Sequence, residues 1–350
     1  MLTFADLSIF NSQPAGLGVL LRDIDTGRGR QGLFADQVPE LLSALATQTR
    51  VASIRASNAI EGIDVSEDRA AAIDQADARL RNRNEREFAG YRDAIDGLMG
   101  RSTPELVSVP LILWLHRQVY VYSGGRGGHL KTENNVIVRY GEDGRRVVVF
   151  EPPPWQQTEG LLVELVNRYN KAQSDRIAHP VVLLAAFVLD FLAIHPVADG
   201  NGRVARLLTT SELLRLDYDV ARYVSIEQRI FESKNTYYAT LRQSQERWGD
   251  GGHDIWPWTT YLVQVLAESY EDFEARVAAG RRTTTMNKQE RVRHHVLEVG
   301  PAEFRLRDLR RALPGISDPT FRLALGELRD QGQVAVAGTG PGAVWRRLGG

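Results

Sequence analysis

The chain is 350 residues long, with 43 Lys and Arg against 44 Asp and Glu, 43% hydrophobic residues and no cysteine. That length gives room for a large core and two or three domains, and the composition is that of an ordinary globular protein. A formal net charge of -1 excludes a whole-chain polyelectrolyte partner, and the lack of cysteine excludes disulfides, thiolate metal sites and a cysteine nucleophile. A reducing, cytoplasmic compartment is consistent with this.

Met1 to Leu21 carries no basic segment ahead of an apolar stretch, so no export signal is expected. Residues 1–37, with Gly27-Arg28-Gly29-Arg30, read as an irregular N-terminal arm. From Pro39 to Ile60 the apolar positions recur every three to four residues, and Gly62 is placed to end that helix. Ser57 and Glu61 share a face of it. A carboxylate at a helix C-terminus opposes the dipole, a conflict that a cationic partner would remove; in isolation Glu61 reads as a solvated side chain. Ser66 is expected to cap a helix running to about Arg81, Asn84 to Met99 to form another, and Thr103-Pro104 to start one that continues through Val119.

Gly124-Gly125-Arg126-Gly127-Gly128 lacks the context of a phosphate loop and reads as a flexible connection. Asn135 to Tyr140 and Arg145 to Phe150, joined across 141–144, predict a β-hairpin, whose open edge would suit an extended peptide. Thr158 to Lys171 is an amphipathic helix. The apolar run Pro180 to Val197 reaches transmembrane length but carries Asp190 and ends in the His195 loop, so its helix, Pro180 to Ile194, is expected to lie in the core and no membrane contact is expected. Further helices are expected over Val204 to Leu216, Ser233 to Trp248 and Trp256 to Val277, where Trp258, Tyr261, Tyr270 and Phe273 are expected to pack inside. Residues 280–285 read as a polar linker. Beyond it, residues 286–350 hold 11 Lys and Arg against 7 Asp and Glu. Three helices and a glycine-tipped hairpin there describe a winged helix-turn-helix, a frequent nucleic-acid or protein contact, although its expected recognition helix offers only Arg322 and Arg329.

One stretch carries the chemistry: His195-Pro196-Val197-Ala198-Asp199-Gly200-Asn201-Gly202-Arg203-Val204-Ala205-Arg206. Pro196 disfavours the helical conformation at His195, leaving an imidazole at the tip of the apolar helix. Gly200, Asn201 and Gly202 would sit over the start of the next helix, where free backbone N–H groups form an anion site. Arg203 and Arg206, three apart, can point at the same anion, and Asp199 can hold Mg²⁺ together with substrate phosphates. Each residue alone has a bland reading as a cap, a turn or a solvated charge. A simple helix-helix turn, however, does not need all of them together.

This loop closely resembles the signature of Fic-domain proteins, most of which transfer AMP from ATP to hydroxyl side chains of target proteins. The resemblance implies a mainly α fold: a Fic-type helical bundle with a β-hairpin flap, followed by the small α/β winged helix-turn-helix domain. The domains expected are residues 1–100, bearing an inhibitory motif, 101–282, the catalytic core, and 286–350. It also implies roles. His195 would be the general base, Asp199 the Mg²⁺ ligand, and Gly200, Asn201, Gly202, Arg203 and Arg206 the ATP phosphate site. Lys131, Thr132 and Val136 would belong to the flap that positions the target. Ser57 and Glu61, with Gly62, match the inhibitory-helix motif, so that Glu61 would pair with Arg206 and contest the γ-phosphate. Self-modification is an implied side activity. Two departures or choices stand out: Val197 replaces the family's usual phenylalanine anchor, and Gly202 is similar to the AMP-transferring majority rather than to members with lysine there. Alternative readings are a DNA-binding regulator with the Fic core as sensor, and removal of AMP by a water that Glu61 orients.

Overall fold

The computed structural model describes residues 2–75, 78–100, 106–140, 145–285, 287–313, 315–338 and 340–348. The chain divides into two compact units, Met1–Glu274 and Ala275–Gly350. Two 3-10 turns, Thr3–Ala5 and Leu7–Asn11, precede α1 (Leu17–Gln37), α2 (Pro39–Ile60), α3 (Glu67–Asp74), α4 (Arg83–Met99) and α5 (Val109–Val119). The hairpin β1 (Ile137–Tyr140) and β2 (Arg146–Phe150) follows, then α6 (Trp155–Asp175), α7 (Pro180–Ile194) and α8 (Asn201–Arg215). The short α9 (Val220–Tyr223) and α10 (Ile226–Glu232) lead to α11 (Lys234–Gln245) and the long α12 (Trp256–Thr285).

The centre of the first unit is α7. Every residue from Val181 to Ile194 is buried, as expected of a helix that is apolar all round. It is packed by α6, α8, α11 and the first 3-10 turn. Its one acid, Asp190, is fully buried and bonded: Oδ1 accepts from the Trp248 indole N–H at 2.7 Å and the Thr3 hydroxyl at 2.9 Å, and Oδ2 accepts the Thr3 backbone N–H at 2.8 Å. Burial pushes its carboxyl up to about 7. Asp190 therefore ties the N-terminal turn to the core. No helix of the described residues is long and apolar enough to cross a membrane.

The helices α2 and α7 begin and end where periodicity and proline place them. Four expectations need correction here. Residues 1–37 are not irregular: Leu17, Leu21 and Ile24 are buried along α1, and Gly27 is a helical residue whose missing side chain admits the Tyr270 ring. Its glycine reflects close packing, not a turn. The helix opened at Ser66 ends at Asp74, and α5 begins at Val109 with Ser108 as its cap, the hydroxyl accepting from Leu111 N–H. The expected start at Thr103-Pro104 lies outside the described residues, as does the hairpin turn at 141–144. Finally, residues 280–285 continue α12 instead of forming a linker.

The second unit contains α13 (Lys288–His294), which passes into a π turn at His295–Val299, then β3 (Glu303–Arg305), α14 (Leu306–Ala312), α15 (Asp318–Asp330), β4 (Val334–Ala337) and β5 (Val344–Arg347). The strands form one antiparallel sheet in the order β3-β5-β4. Three strands are present where two were expected, because Glu303–Arg305 pairs with β5. Val292, Val296, Phe304, Leu309, Phe321, Leu325 and Leu328 form its core.

Candidate active site

The loop between α7 and α8 is fixed by its own backbone chemistry. His195 closes α7 in the left-handed region, φ 51°, with its N–H on Phe191 C=O at 3.0 Å. Pro196 next in line leaves it little helical freedom. Its Nδ1 lies 3.2 Å from Leu192 C=O. A carbonyl only accepts, so Nδ1 carries the proton and Nε2 keeps the lone pair. Burial, reinforced by the Lys131 charge, lowers this imidazole to about 4, against smaller upward pulls from Glu61 and Asp199. It is neutral at pH 7.

Val197 is fully buried, and the loop around it is braced by amides. Asn201 Oδ1 accepts the Val197 N–H at 3.0 Å while Asn201 Nδ2 donates to Val197 C=O at 2.7 Å. Asn135 Nδ2 also donates to Val197 C=O, at 3.2 Å. The smaller anchor at 197 thus sits in a hydrogen-bonded frame. Lys131 completes it from below: only 3% exposed, it donates from Nζ to Asn135 Oδ1, Pro153 C=O and Ile194 C=O, each at 3.0 Å, and its backbone N–H reaches Pro196 C=O at 2.9 Å. Burial lowers its ammonium to about 8. Lys131 therefore ties the hairpin to the loop and turns no charge outward, whereas Thr132 and Val136 are exposed.

Gly200, at φ 87°, supplies no side-chain cap to α8. Helix-start N–H groups without a cap are left to an anion. Arg203 and Arg206 are both buried, at 2% and 3% exposure. Arg203 donates to Glu87 Oε2 at 2.7 Å and to the Tyr120 hydroxyl at 2.6 Å. Arg206 Nε donates to Ser57 Oγ at 2.8 Å, and Nη2 donates to Ser57 C=O at 2.9 Å and to Glu61 Oε1 at 2.8 Å. The residues singled out on α2 and α8, 145 positions apart, thus meet. Arg206 Nη1 is buried with no hydrogen-bond partner among the described residues. It lies beside Gly202, where any side chain would run into Glu61. One further network sets this distance. Glu227, buried on α10, accepts from Ser53 Oγ at 2.7 Å and Thr210 Oγ1 at 3.0 Å. These sit one turn before Ser57 and one turn after Arg206.

Asp199 is exposed and its Oδ2 receives Arg83 Nη2 at 3.0 Å. Partial burial pushes its carboxyl up, but Arg203, Tyr120 and Arg83 outweigh this and hold it below the usual range. No group of three or more His, Cys, Asp or Glu that could hold a metal occurs among the described residues. Mg²⁺ needs only one or two carboxylates when substrate phosphates supply further oxygens, so a lone Asp199 is a fitting donor. Four neighbours were missed by sequence reasoning: Arg83, Glu87, His116 and Tyr120. Arg83 and Glu87 form an i,i+4 ion pair on α4, which spacing alone makes legible; that Glu87 also meets Arg203, 116 positions away, has no local signal. His116 accepts the Gly128 N–H at 3.0 Å on Nδ1, and burial lowers it to about 4.

Residues 106–213 match the Fic/DOC family. Among curated relatives, a protein adenylyltransferase Fic of Drosophila yakuba is 30% identical over 165 residues, 47% of this chain and 29% of that protein. A probable protein adenylyltransferase of Aquifex aeolicus is 25% identical over 142 residues, 41% of this chain and 38% of that one. The matched stretch thus spans well under half of either relative. The crystal structure of a Fic family protein from Desulfovibrio desulfuricans superposes with a TM-score of 0.63 at 21% identity, covering 97% of this chain and 98% of the other. The fold is mainly helical and like that of solved Fic family proteins, and the stretch similar to the Fic/DOC family, residues 106–213, holds the helix-tip histidine loop. This chain carries a Fic domain.

Proposed function

We propose that this chain is a protein adenylyltransferase restrained by Glu61. The observation that carries the proposal is the approach of the unpartnered Nη1 of Arg206 to Gly202, at the uncapped start of α8. A helix start and an unpartnered guanidinium nitrogen placed together suit a terminal phosphate. ATP is the substrate. Neutral His195, with its lone pair on Nε2, takes the proton from a Ser, Thr or Tyr hydroxyl of the target as that oxygen attacks the α-phosphate, and pyrophosphate departs. Arg203 and the α8 N-terminus stabilise the charge that gathers on the phosphoryl oxygens. Mg²⁺, when held by Asp199, would neutralise the phosphates. Arg83 must then release Asp199 Oδ2 or share it.

Glu61 occupies the partner that a γ-phosphate would take, so ATP would bind in an unproductive position until Glu61 moves. The exposed rim of the hairpin, with Thr132 and Val136, is our candidate for holding the target segment against the loop. The second unit we read as a winged helix-turn-helix that recruits a partner. Its Arg329 is paired with Asp330 and Arg310 with Asp318, which favours a protein contact over DNA.

The test is the fate of labelled ATP. Label in the α-phosphate should become protein-bound and label in the γ-phosphate should not. His195→Ala should reduce transfer by roughly 10²- to 10⁴-fold, the usual worth of a positioned base. Transfer of γ-label, or transfer that survives His195→Ala, would overturn the assignment.

A further inference from the structure

Next to Asp199, and outside the loop itself, lies a cleft of about 400 Å³ lined by Arg83, Arg86, Tyr122, Ser123, Gly124 and Arg126. No acidic side chain lines it. The carboxylates nearby are already spoken for: Glu87 by Arg83 and Arg203, Asp199 by Arg83, and Asp93 by Arg92 and the Tyr122 hydroxyl at 2.6 Å. Arg86 and Arg126 have no ion pair or side-chain hydrogen bond among the described residues, and both are exposed. The segment from Leu106 to Thr132, which supplies four of the six lining residues, contains no Asp or Glu. Many exposed arginines of this chain sit on a carboxylate within a few residues, as Arg22, Arg247 and Arg329 do. Two unpaired guanidiniums around one concavity repel each other, and an anionic guest relieves that repulsion.

We propose that this cleft docks acidic side chains of the protein that is modified, so that hydroxyls flanked by Asp or Glu are the preferred acceptors. The proposal rests on the adenylyltransferase reading and adds its substrate class. Arg83 supplies the link, because it lines the cleft and touches Asp199. An acidic segment seated there is held beside the reacting loop, and it also draws Arg83 away from Asp199. None of the lining residues belongs to 195–206, so this surface is separate from the phosphate site proposed at Gly202.

Two measurements on the full chain test it. In the first, a fluorescein-labelled hexaglutamate peptide is titrated and followed by anisotropy at low ionic strength. Wild type should bind, Arg86→Glu/Arg126→Glu should bind at least about tenfold more weakly, and added salt should weaken the wild type, as exposed charge pairs require. The milder Arg86→Gln/Arg126→Gln pair should fall between the two and guards against misfolding of the first variant. Equal binding by wild type and both variants overturns the proposal whatever the activity. So does an affinity for tripolyphosphate that is lost in the variants while hexaglutamate is ignored, which would make the cleft a phosphate subsite. In the second, Glu61→Gly protein is given α-labelled ATP and serine, threonine or tyrosine peptides flanked by Glu or by Lys. Preference for the Glu-flanked set should vanish with the Arg86/Arg126 charge reversal; no preference overturns the proposal. If no peptide and no self-modification is seen at all, the adenylyltransferase reading fails, while the anisotropy result still decides whether the cleft takes acidic chains.

Discussion

Arg203 and Arg206 sit one turn apart on α8, are equally buried and are each paired with a carboxylate, yet the two pairs are built for different purposes. The Arg203 partner, Glu87, has a side chain with no exposure and holds Arg83 as well, and Tyr120 adds a hydroxyl to Arg203. The Arg206 partner, Glu61, is the C-cap of α2 and its side chain is 31% exposed, touching Arg206 through a single oxygen while Nη1 has no partner among the described residues. A carboxylate there also opposes the α2 dipole. Burial and redundancy make the first pair part of the frame. Exposure and an incomplete contact suit the second to the exchange for a phosphate that we propose.

The comparison breaks if the two glutamates respond alike. Glu87→Ala leaves a buried guanidinium without its charge partner and should cost roughly 3–5 kcal/mol in urea unfolding. Glu61→Gly should cost less than about 1 kcal/mol, as a partly exposed pair does. Similar losses for both would show that Glu61 is structural. Glu227 sharpens the contrast from behind. Glu227→Ala removes the acceptor shared by Ser53 and Thr210, and should cost about 1–3 kcal/mol. It should also raise label transfer while Glu61 is present and leave transfer unchanged in a Glu61→Gly background; an equal effect in both would mean that Glu227 does not act through the inhibitory helix. The smallest effect is on pH. Only neutral His195 accepts a proton, and burial has lowered it to about 4, so transfer by Glu61→Gly should fall as pH drops through about 4. Glu61 pulls His195 upward, so removing it cannot move that limb higher. A limb near 6.5 would contradict a buried base.

Much of this was legible in the residue order because the chemistry is contiguous. The loop 195–206 is one run of sequence, and α2 and α7 are long periodic segments bounded by proline or glycine. Ser57 and Glu61 became meaningful only when a cation was found for them, which the resemblance supplied and the 2.8 Å contact to Arg206 realises. What escaped was nonlocal. Glu87, Tyr120 and His116 reach the loop from α4 and the end of α5, and no spacing announces that. Lys131 entered only as part of the flap that the resemblance implies, because nothing in its neighbourhood reveals three carbonyl-type acceptors folded around it. The helix over Leu17–Gln37 was hidden by Gly27 and Gly29, since a glycine chosen for contact with Tyr270 reads the same as one chosen for a turn.

The central claim is that Glu61 withholds Arg206 from ATP. Its most direct test is protein-bound label from α-labelled ATP, compared between wild type and Glu61→Gly at equal concentration. A rise of at least about fivefold, within the usual range of a 1–3 kcal/mol coupling, is predicted. Equal labelling of the two proteins would contradict it.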